Sequence, residues 1–313
     1  MASERPKIGW IGSGRMGAAL ARRLLDAGYD VAVYNRTRDK AHALTPHGAT
    51  VADAPVDLAG RDIVFTMVAG SSDLEQVTSG EGGVLTDPAK APKVLVDSST
   101  VSAEASANVR VAALKQGTEF LAAPVSGNPK VVKAGKATLA VSGPRAVYDQ
   151  LEPVLRSLAR AVTYVGEDEV ARLVKIAHNV FLGVVIQSLA EITVLAEKGG
   201  VSRAAFLEFL NSSVMGSTFS QYKTPAMVHL DFTPTFTMPL LRKDFDLGLA
   251  AARSLEAPMP VASAAAQLVA AAVGAGYQDE DFAVLIQEQA RRAGMTLRPE
   301  DVQVTDGLED GDG

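Results

Sequence analysis

The sequence predicts an α/β protein in which a doubly wound parallel sheet is followed by a long inter-domain helix and an all-helical C-terminal domain. The first observation is that apolar runs typical of strands alternate with helical stretches in the first half of the chain. These runs cover residues 8–11, 31–34, 63–68, 94–96, 119–122, 138–141 and 161–165. The second observation is a helical pattern that continues from about Asp168 to Lys198 without a proline, followed by further helices and no convincing strand.

The first strand, 8–11, leads into Gly12, Gly14 and Gly17, which have the spacing G-x-G-x-x-G, and a helix follows over 18–26. Such a turn lets the backbone approach a pyrophosphate, and the N-terminus of the helix offers free N–H groups and positive partial charge. A second strand completes a βαβ unit of the expected length. The context therefore predicts a Rossmann-type dinucleotide site, the alternative being a plain tight turn between a strand and a helix.

The residues after the second strand, Asn35, Arg36 and Thr37, predict which dinucleotide binds. Proteins that bind NAD(H) carry an acidic residue near this place, and an acid would repel a 2′-phosphate. A guanidinium can pair with that phosphate, and the asparagine and threonine can add hydrogen bonds without negative charge. NADP(H) is therefore predicted in preference to NAD(H), and a solvated basic turn is the alternative.

Two later strands end in small polar residues, at the edge where open α/β sheets bind ligands. The strand at 94–96 is followed by Asp97-Ser-Ser-Thr100, and the strand at 119–122 by a loop that contains Ser126 and Gly127. A serine and the backbone N–H groups of this loop can hold a carboxylate. Either segment alone could equally be a loop with helix-capping serines.

The long helix carries Lys175, His178 and Asn179 at positions i, i+3 and i+4, which share one helical face. Their neighbours along the helix are mostly apolar, so we expect Lys175 to be partly desolvated. Desolvation lowers the pKa of a lysine from about 10.4 toward the range in which it exchanges protons. Lys175 is therefore predicted to be a general acid/base, and the alternative is an ammonium group that extends into solvent.

The helical half extends over the predicted helices 202–211, 240–255, 261–275 and 282–293. The predicted domains are accordingly a dinucleotide-binding domain at 1–166, a helical domain at 167–298 and a tail at 299–313. The tail holds six acids and no base, so subtracting them from the 36 acids of the chain leaves 30 acids against 30 bases. With few apolar anchors, this tail is predicted to be disordered and dispensable.

Composition excludes several classes of function. The chain of 313 residues has 47% hydrophobic residues, which is typical of a protein with real cores, and its charge of −6 argues against nucleic acid as a partner. It has no cysteine, and its four histidines lack the spacing of metal ligands, so no metal site is predicted. The N-terminus shows no signal segment, and no run long enough to cross a bilayer is expected; the expected location is the cytoplasm.

The motifs resemble, in order and over nearly the whole chain, those of the β-hydroxyacid dehydrogenase family. Gly12 to Gly17 is similar to its nucleotide motif, Asp97 to Thr100 to its D-x-S-T segment, and Ala123 to Gly127 to its substrate loop. Lys175 with Asn179 is similar to its catalytic helix, and Phe236 with Lys243-Asp244 to its later motif.

The resemblance implies roles for individual residues. Lys175 would be the catalytic acid/base, Asn179 would orient the substrate, and Lys243 would lie near both nicotinamide and substrate. The residues predicted to bind substrate are Ser126, Gly127, Asn128, His178, Asn179 and Lys243. The residues predicted to bind the cofactor are Gly12, Ser13, Gly14, Arg15, Met16, Asn35, Arg36, Thr37, Val68, Thr100 and Lys243.

The function predicted from these residues is hydride transfer between NADP(H) and a small 3-hydroxy acid, or a short aldehyde or keto acid, in a homodimer or homotetramer. Lys130, Lys133 and Lys136 after the substrate loop could favour a second anionic group, or form a solvated face. The K-x-x-H-N pattern is also similar to 6-phosphogluconate dehydrogenase, although Leu182 stands where that enzyme has a second acid. An imine reductase and a non-catalytic NADP-binding module are competing interpretations, and Lys175 argues against both.

Overall fold

The structure, a computed structural model, describes residues 5–308, which divide into two compact units between Lys175 and Ile176. The first unit holds a sheet with the strand order β3-β2-β1-β4-β5-β6-β8-β7, with β9 paired to β8. Its strands are β1 (Ile8–Ile11), β2 (Val31–Tyr34), β3 (Thr50–Val51), β4 (Ile63–Thr66), β5 (Val94–Asp97), β6 (Glu119–Ala122), β7 (Val125–Ser126), β8 (Thr138–Ser142) and β9 (Ala161–Gly166). Its helices are α1 (Arg15–Asp26), α2 (Arg38–His42), α3 (Ser71–Thr78), α4 (Ala103–Lys115), α5 (Pro129–Lys133) and α6 (Arg145–Leu158).

The sheet confirms the predicted doubly wound architecture. Every residue of β1, β4 and β5 is buried, as expected for central parallel strands that are covered on both faces. The order reverses between β1 and β4, which is the switch point where such sheets bind ligands. The sheet differs from the predicted parallel arrangement in one respect, because β8 pairs antiparallel with both β6 and β7. The two-residue strands β3 and β7 are too short to leave an apolar pattern in the sequence.

The second unit is helical, as predicted, and continues from the long helix α7 (Val170–Lys198), which begins in the first unit. The other helices are α8 (Arg203–Ser212), α9 (Thr218–His229), α10 (Met238–Ser254), α11 (Pro260–Gly274) and α12 (Leu285–Arg292). Helix α9 was not predicted, because its polar and apolar residues follow no helical periodicity and Pro225 lies in its interior. The core of this unit includes Ile186, Leu189, Leu207, Met227, Leu241, Phe245, Val269 and Phe282.

The division between the units lies inside α7, later than the boundary predicted at 166/167. The reason is that the first turn of this helix packs into the first unit. Ala171 lies in the core beside the sheet, and the buried Arg172 side chain hydrogen-bonds Ser106 of α4. The periodicity of the sequence marks where a helix starts, but not which unit covers its first turn.

Helix α7 is also the one helix of residues 5–308 that is long and apolar enough to cross a membrane. An 18-residue window within it has a mean hydropathy of 1.7, and half of that window is buried inside the protein. The prediction that no run has the necessary length is therefore wrong on length and composition. A buried core helix passes the same test, and Ile176, Val180, Ile186, Leu189 and Val194 of α7 lie in the core of the second unit.

The segment 299–308 is ordered against the second unit, which contradicts the prediction of a disordered tail over these residues. The Glu300 carboxylate accepts hydrogen bonds from the N–H groups of Arg203 (2.7 Å) and Ala204 (3.0 Å), at the start of α8. Val304 packs on the core, and Leu308 is buried. The carboxylate satisfies helix N–H groups that otherwise have no partner, so a local count of apolar anchors underestimates the docking. Glu309, Asp310 and Asp312 lie outside the described residues.

One buried arginine connects this segment to three helices. The Arg203 guanidinium donates to Glu197 of α7 at 2.6 Å and to the carbonyl oxygens of Met227 and Val228 in α9, and it also contacts the carbonyl oxygen of Arg298. Its side chain is fully buried, and the carboxylates of Glu197 and Glu300 supply the compensating charge. A buried guanidinium held by several acceptors fixes the ends of α7, α8 and α9 relative to each other.

The chain before α10 is held by a second buried ion pair, between Lys223 of α9 and Asp281 at 2.5 Å. Asp281 also accepts from the backbone N–H groups of Thr235 (2.9 Å) and Phe236 (3.2 Å). Burial alone would raise the pKa of Asp281, but the ammonium and these hydrogen bonds outweigh it and hold that pKa below its usual value. The carboxylate therefore stays ionised and fixes the segment that leads into α10.

Candidate active site

A cavity of about 320 Å³ opens at the carboxyl ends of β1, β2 and β4, all within the first unit. Its lining residues are Ile11, Gly12, Gly14, Tyr34, Asn35, Arg36, Thr37, Lys40, Pro55, Met67, Val68, Ala69, Asp73, Gln76, Val77 and Glu81. The cavity adjoins the switch point between β1 and β4, where a doubly wound sheet binds a dinucleotide.

The structure gives a different reason for glycine at each of the three positions of the turn. Gly12 has a φ of +97°, and a Cβ there would lie 2.2 Å from the carbonyl oxygen of Met67. A Cβ on Gly17 would lie 1.9 Å from the carbonyl oxygen of Gly12, so packing of α1 on the turn excludes any side chain there. A Cβ on Gly14 would meet no protein atom within 4 Å. Gly14 is the N-cap of α1, and the open space above it leaves room for a pyrophosphate to approach the backbone.

Asn35 and Arg36 differ in how firmly contacts within the protein hold their side chains. The Asn35 carboxamide accepts from the Ser13 N–H at 2.8 Å and donates to the Thr37 carbonyl at 2.9 Å, so it holds the glycine turn against the end of β2. The Arg36 side chain is 86% exposed and pairs with Asp73 of α3 at 3.2 Å. Such an exposed pair is worth roughly 1 kcal/mol or less, so a phosphate can replace the carboxylate.

Not every residue predicted to bind cofactor lines this cavity. Gly12, Gly14, Asn35, Arg36, Thr37 and Val68 line it, whereas Ser13, Arg15, Met16, Thr100 and Lys243 are not among its lining residues. Ser13 is buried in the turn, and Arg15 is exposed at the start of α1.

Several lining residues were not predicted. Met67 and Ala69 directly follow β4, and the position of that strand end beside β1 could have indicated them. Lys40 and Asp73 lie on α2 and α3, and no pattern in the sequence indicates them.

The Asp97 carboxylate organises the neighbouring strand end. This side chain is fully buried, and its Oδ1 accepts from the hydroxyl groups of Thr66 and Ser99, each at 2.6 Å. The Ser99 hydroxyl in turn accepts from the N–H of Val68 at 2.9 Å, in the wall of the cavity. The D-x-S-T segment therefore fixes the loop after β4 through the hydrogen bond between Ser99 and Val68.

The predicted substrate loop follows β6 in the first unit. Ser126 ends β7, and Gly127 has a φ of +134°, in the region that favours glycine. The Asn128 side chain is buried and caps α5 by accepting from the N–H of Val131 at 3.0 Å, and its Nδ2 has no hydrogen-bond partner among residues 5–308. A buried amide donor of this kind is satisfied only by a ligand or water.

The three lysines after this loop differ in exposure. Lys130 and Lys133 are exposed on α5, and Lys136 is half-buried after it.

Lys175, His178 and Asn179 lie on successive turns of α7, with Lys175 half-buried and His178 exposed. Asn179 is buried, and its Nδ2 donates to Asp244 of α10 at 2.6 Å. The Lys243 ammonium lies 3.6 Å from the same carboxylate. Asp244 was not singled out as a site residue, although the Lys243-Asp244 motif could have indicated it. Its carboxylate fixes the carboxamide of Asn179, so the orientation of this side chain is set by the protein.

Two glycines bring α7 and α10 close enough for this contact. A Cβ on Gly183 of α7 would lie 2.5 Å from the ring of Phe245, and a Cβ on Gly248 of α10 would lie 2.2 Å from the side chain of Val180. Larger residues at either position would force the helices apart. The close crossing thus places Asn179 within hydrogen-bond distance of Asp244.

Metal ligation finds no support among residues 5–308, where no group of three or more histidine, aspartate or glutamate side chains could hold an ion.

Known proteins share both units. Residues 7–166 match the family model described as the NAD binding domain of 6-phosphogluconate dehydrogenase. Residues 170–288 match the model described as NAD-binding of NADP-dependent 3-hydroxyisobutyrate dehydrogenase. Together with the glycine turn and its cavity, these matches define the class of protein as an NAD(P)-dependent oxidoreductase.

Similarity to individual proteins indicates the family within this class of oxidoreductases. The 2-(hydroxymethyl)glutarate dehydrogenase of Eubacterium barkeri is 31% identical over 93% of this chain and 97% of that protein. The glyoxylate/succinic semialdehyde reductase 1 of Arabidopsis thaliana is 30% identical over 90% and 97%. The crystal structure of 3-hydroxyisobutyrate dehydrogenase from Salmonella typhimurium is 27% identical, with a TM-score of 0.81 over 91% of this chain and 100% of that one. The chain belongs to the β-hydroxyacid dehydrogenase family, as its motifs predicted.

Proposed function

We propose that this enzyme prefers NADP(H) and interconverts a small 3-hydroxy acid, or a short hydroxy acid, with the corresponding aldehyde or keto acid. The observation that carries the proposal is the α7 face, on which a half-buried Lys175 precedes an Asn179 held by Asp244. Relatives of this chain act on glyoxylate, succinic semialdehyde and 3-hydroxyisobutyrate, according to their names, and the proposed substrate class follows theirs.

The chain's own residues supply the proton chemistry and the binding. When bound, NADP(H) supplies hydride exchange at its nicotinamide ring, and the glycine turn with Arg36 would hold its phosphates. In reduction, the Lys175 ammonium donates a proton to the carbonyl oxygen, and in oxidation the neutral amine takes the proton of the hydroxyl group. Asn179 orients the substrate, and Ser126 with the N–H groups around Gly127 binds its carboxylate.

A substrate panel tests this proposal directly. Glyoxylate, succinic semialdehyde and 3-hydroxyisobutyrate are each incubated with the enzyme and NADPH or NADP⁺, and NADPH absorbance is followed. We expect turnover of at least one carboxylate-bearing substrate and little turnover of a matched aldehyde without a carboxylate, such as propanal. Absence of turnover with every hydroxy acid, aldehyde and keto acid would favour the non-catalytic binding module.

Replacement of Arg36 by alanine tests the cofactor preference. Losing a charge-assisted contact to the 2′-phosphate costs about 1.5 to 3 kcal/mol, so we expect the KM for NADPH to rise at least about tenfold. The KM for NADH should hardly change, because NADH lacks that phosphate. Steady-state kinetics with both cofactors measure this difference.

Two variants serve as controls for Arg36. Arg38 is the neighbouring arginine, pairs with Asp53 and does not line the cavity, so Arg38→Ala should leave both KM values unchanged. Asp73→Asn removes the carboxylate that competes for Arg36, and the KM for NADPH should stay constant or fall. An equal loss for NADPH and NADH in Arg36→Ala would contradict the proposed preference.

We further propose that the enzyme works in the cytoplasm as a homodimer or homotetramer, with no membrane or nucleic-acid partner. Support for self-association comes from the large apolar side chains that α7 exposes, including Phe181 (68% exposed) and Leu195 (72% exposed). Exposed apolar side chains that form a contiguous patch are typical of protein–protein interfaces. Analytical ultracentrifugation tests the assembly, and a monomer at micromolar concentration would contradict it.

A further inference from the structure

The first turn of α7 carries an arginine that the proposed chemistry does not use. Arg172 is 1% exposed, and each part of its guanidinium has a partner in the first unit. Its Nε donates to the Ser106 hydroxyl of α4 at 3.0 Å, and its Nη1 donates to the carbonyl oxygen of Ser99 at 2.9 Å. Its Nη2 lies 2.6 Å from Oδ2 of Asp97.

The partner carboxylate belongs to the wall of the nucleotide cavity. Asp97 is itself fully buried, and the Ser99 hydroxyl connects its Oδ1 to the N–H of Val68, which lines the cavity. Hydrogen bonds therefore connect Val68 through Ser99 to Asp97, and the ion pair at 2.6 Å continues this set of contacts to Arg172. Because both charges are buried, they compensate each other, and loss of either one leaves an unpaired charge.

The geometry of α7 connects Arg172 to Lys175, the proposed acid/base. Lys175 lies three residues after Arg172, so the two side chains start from adjacent positions on the helix surface. Arg172 points into the first unit and fixes both the rotation and the height of the first turn of α7. A rotation of this turn would move the Lys175 side chain with it, and an error of about 1 Å in a catalytic group can cost on the order of a hundredfold in rate.

We propose that Arg172 is a positioning residue, which through its ion pair with Asp97 fixes Lys175 relative to the loop that binds the nucleotide. The inference rests on the proposed function, since it takes Lys175 as the acid/base. It assigns to Arg172 an effect on turnover that exceeds its effect on cofactor binding. It also explains why a full charge is buried at the start of the helix, where an apolar residue would pack at lower cost.

Two variants test the proposal. Arg172→Gln removes the charge, and Arg172→Lys keeps the charge but loses the planar fork that bonds Ser99, Ser106 and Asp97 together. For both we expect kcat to fall at least tenfold, while the Kd for NADPH stays within threefold of wild type. The deuterium isotope effect with 4-deuterated NADPH should rise or stay the same, because the chemical step becomes slower.

Arg110→Gln is the matched control. Arg110 pairs with Glu169, directly before α7, at 2.8 Å, so the variant also removes an ion pair from the start of this helix but leaves the Asp97 network intact. We expect its kcat to remain within twofold of wild type, even if its melting temperature falls. A purely structural role for Arg172 would instead lower the melting temperature in all three variants with little change in kcat.

The outcomes separate this proposal from the proposed function. It is overturned if a folded Arg172 variant keeps more than a third of wild-type kcat, if NADPH affinity falls as much as kcat, or if neither variant folds. If the wild type itself turns over no substrate, the proposed function fails. In that case, amide hydrogen exchange of residues 170–177 tests whether Arg172 fixes the first turn of α7. Faster exchange in Arg172→Lys but not in Arg110→Gln supports it, and equal exchange in both contradicts it.

Discussion

Replacing Lys175 by alanine is expected to lower turnover by about a hundredfold to ten-thousandfold, which is the usual contribution of a positioned acid/base. The Kd for NADPH should stay close to wild type, because Gly12, Gly14 and Arg36 line a cavity that Lys175 does not line. The measurement is steady-state turnover on a substrate that the wild type clearly uses, together with NADPH fluorescence titration. Retention of more than a tenth of wild-type turnover would refute the assignment of Lys175.

Two further variants serve as a control and as a comparison for Lys175→Ala. Lys198→Ala, at the other end of α7, removes an exposed lysine that donates to the carbonyl oxygen of Ala293, and it should leave turnover unchanged. Asn179→Ala should lower turnover less than Lys175→Ala does. A neutral hydrogen bond to substrate is worth about 1 kcal/mol, so we expect mainly a weaker apparent affinity.

Truncation after Arg298 is expected to lower the melting temperature by roughly 10 °C, although the composition of the tail predicts no effect. Removing Glu300 leaves the first N–H groups of α8 without an acceptor, which costs about 0.5 to 2 kcal/mol. Loss of the buried Leu308 side chain costs about 1.5 to 3 kcal/mol more. Each kcal/mol corresponds to roughly 2 to 4 °C for a protein of this size. Differential scanning calorimetry provides the measurement.

A second truncation, after Leu308, is the matched control, because it removes acidic residues but leaves the docked segment intact. Its melting temperature should equal that of the full chain. Glu300→Gln isolates the carboxylate, and it should destabilise less than the long truncation. If the truncation after Arg298 melts within about 2 °C of the full chain, the contacts of Glu300 and Leu308 contribute no stability.

Local patterns account for what the sequence predicted correctly. The alternation of strands and helices, the glycine turn after β1 and the length of α7 all depend on neighbouring residues, and the sheet and helical unit confirmed them. Helix α9 was missed because tertiary packing, and not a periodic pattern of its own, stabilises a stretch with an internal proline.

The missed contacts are those between residues far apart in the chain. Asp97 and Arg172 are separated by several elements of secondary structure, and neither is unusual in its local sequence. Glu300 looks like one acid among six in a polar tail, yet it meets the start of α8. Which residues meet Lys175, Asn179 and Arg36 likewise depends on packing, and the roles of the predicted site residues stay predictions.

The buried Arg203 places a condition on when the helical unit can finish folding. Its acceptors come from α7, from α9 and from residues 298–300, and the last of these are synthesised after all three of the helices α7, α8 and α9. During translation the sheet unit can fold as soon as it emerges, whereas the helical unit still contains a guanidinium that lacks some of its acceptors. The final stabilisation of this unit therefore depends on residues 298–300, which complete the set of acceptors around the buried Arg203 guanidinium.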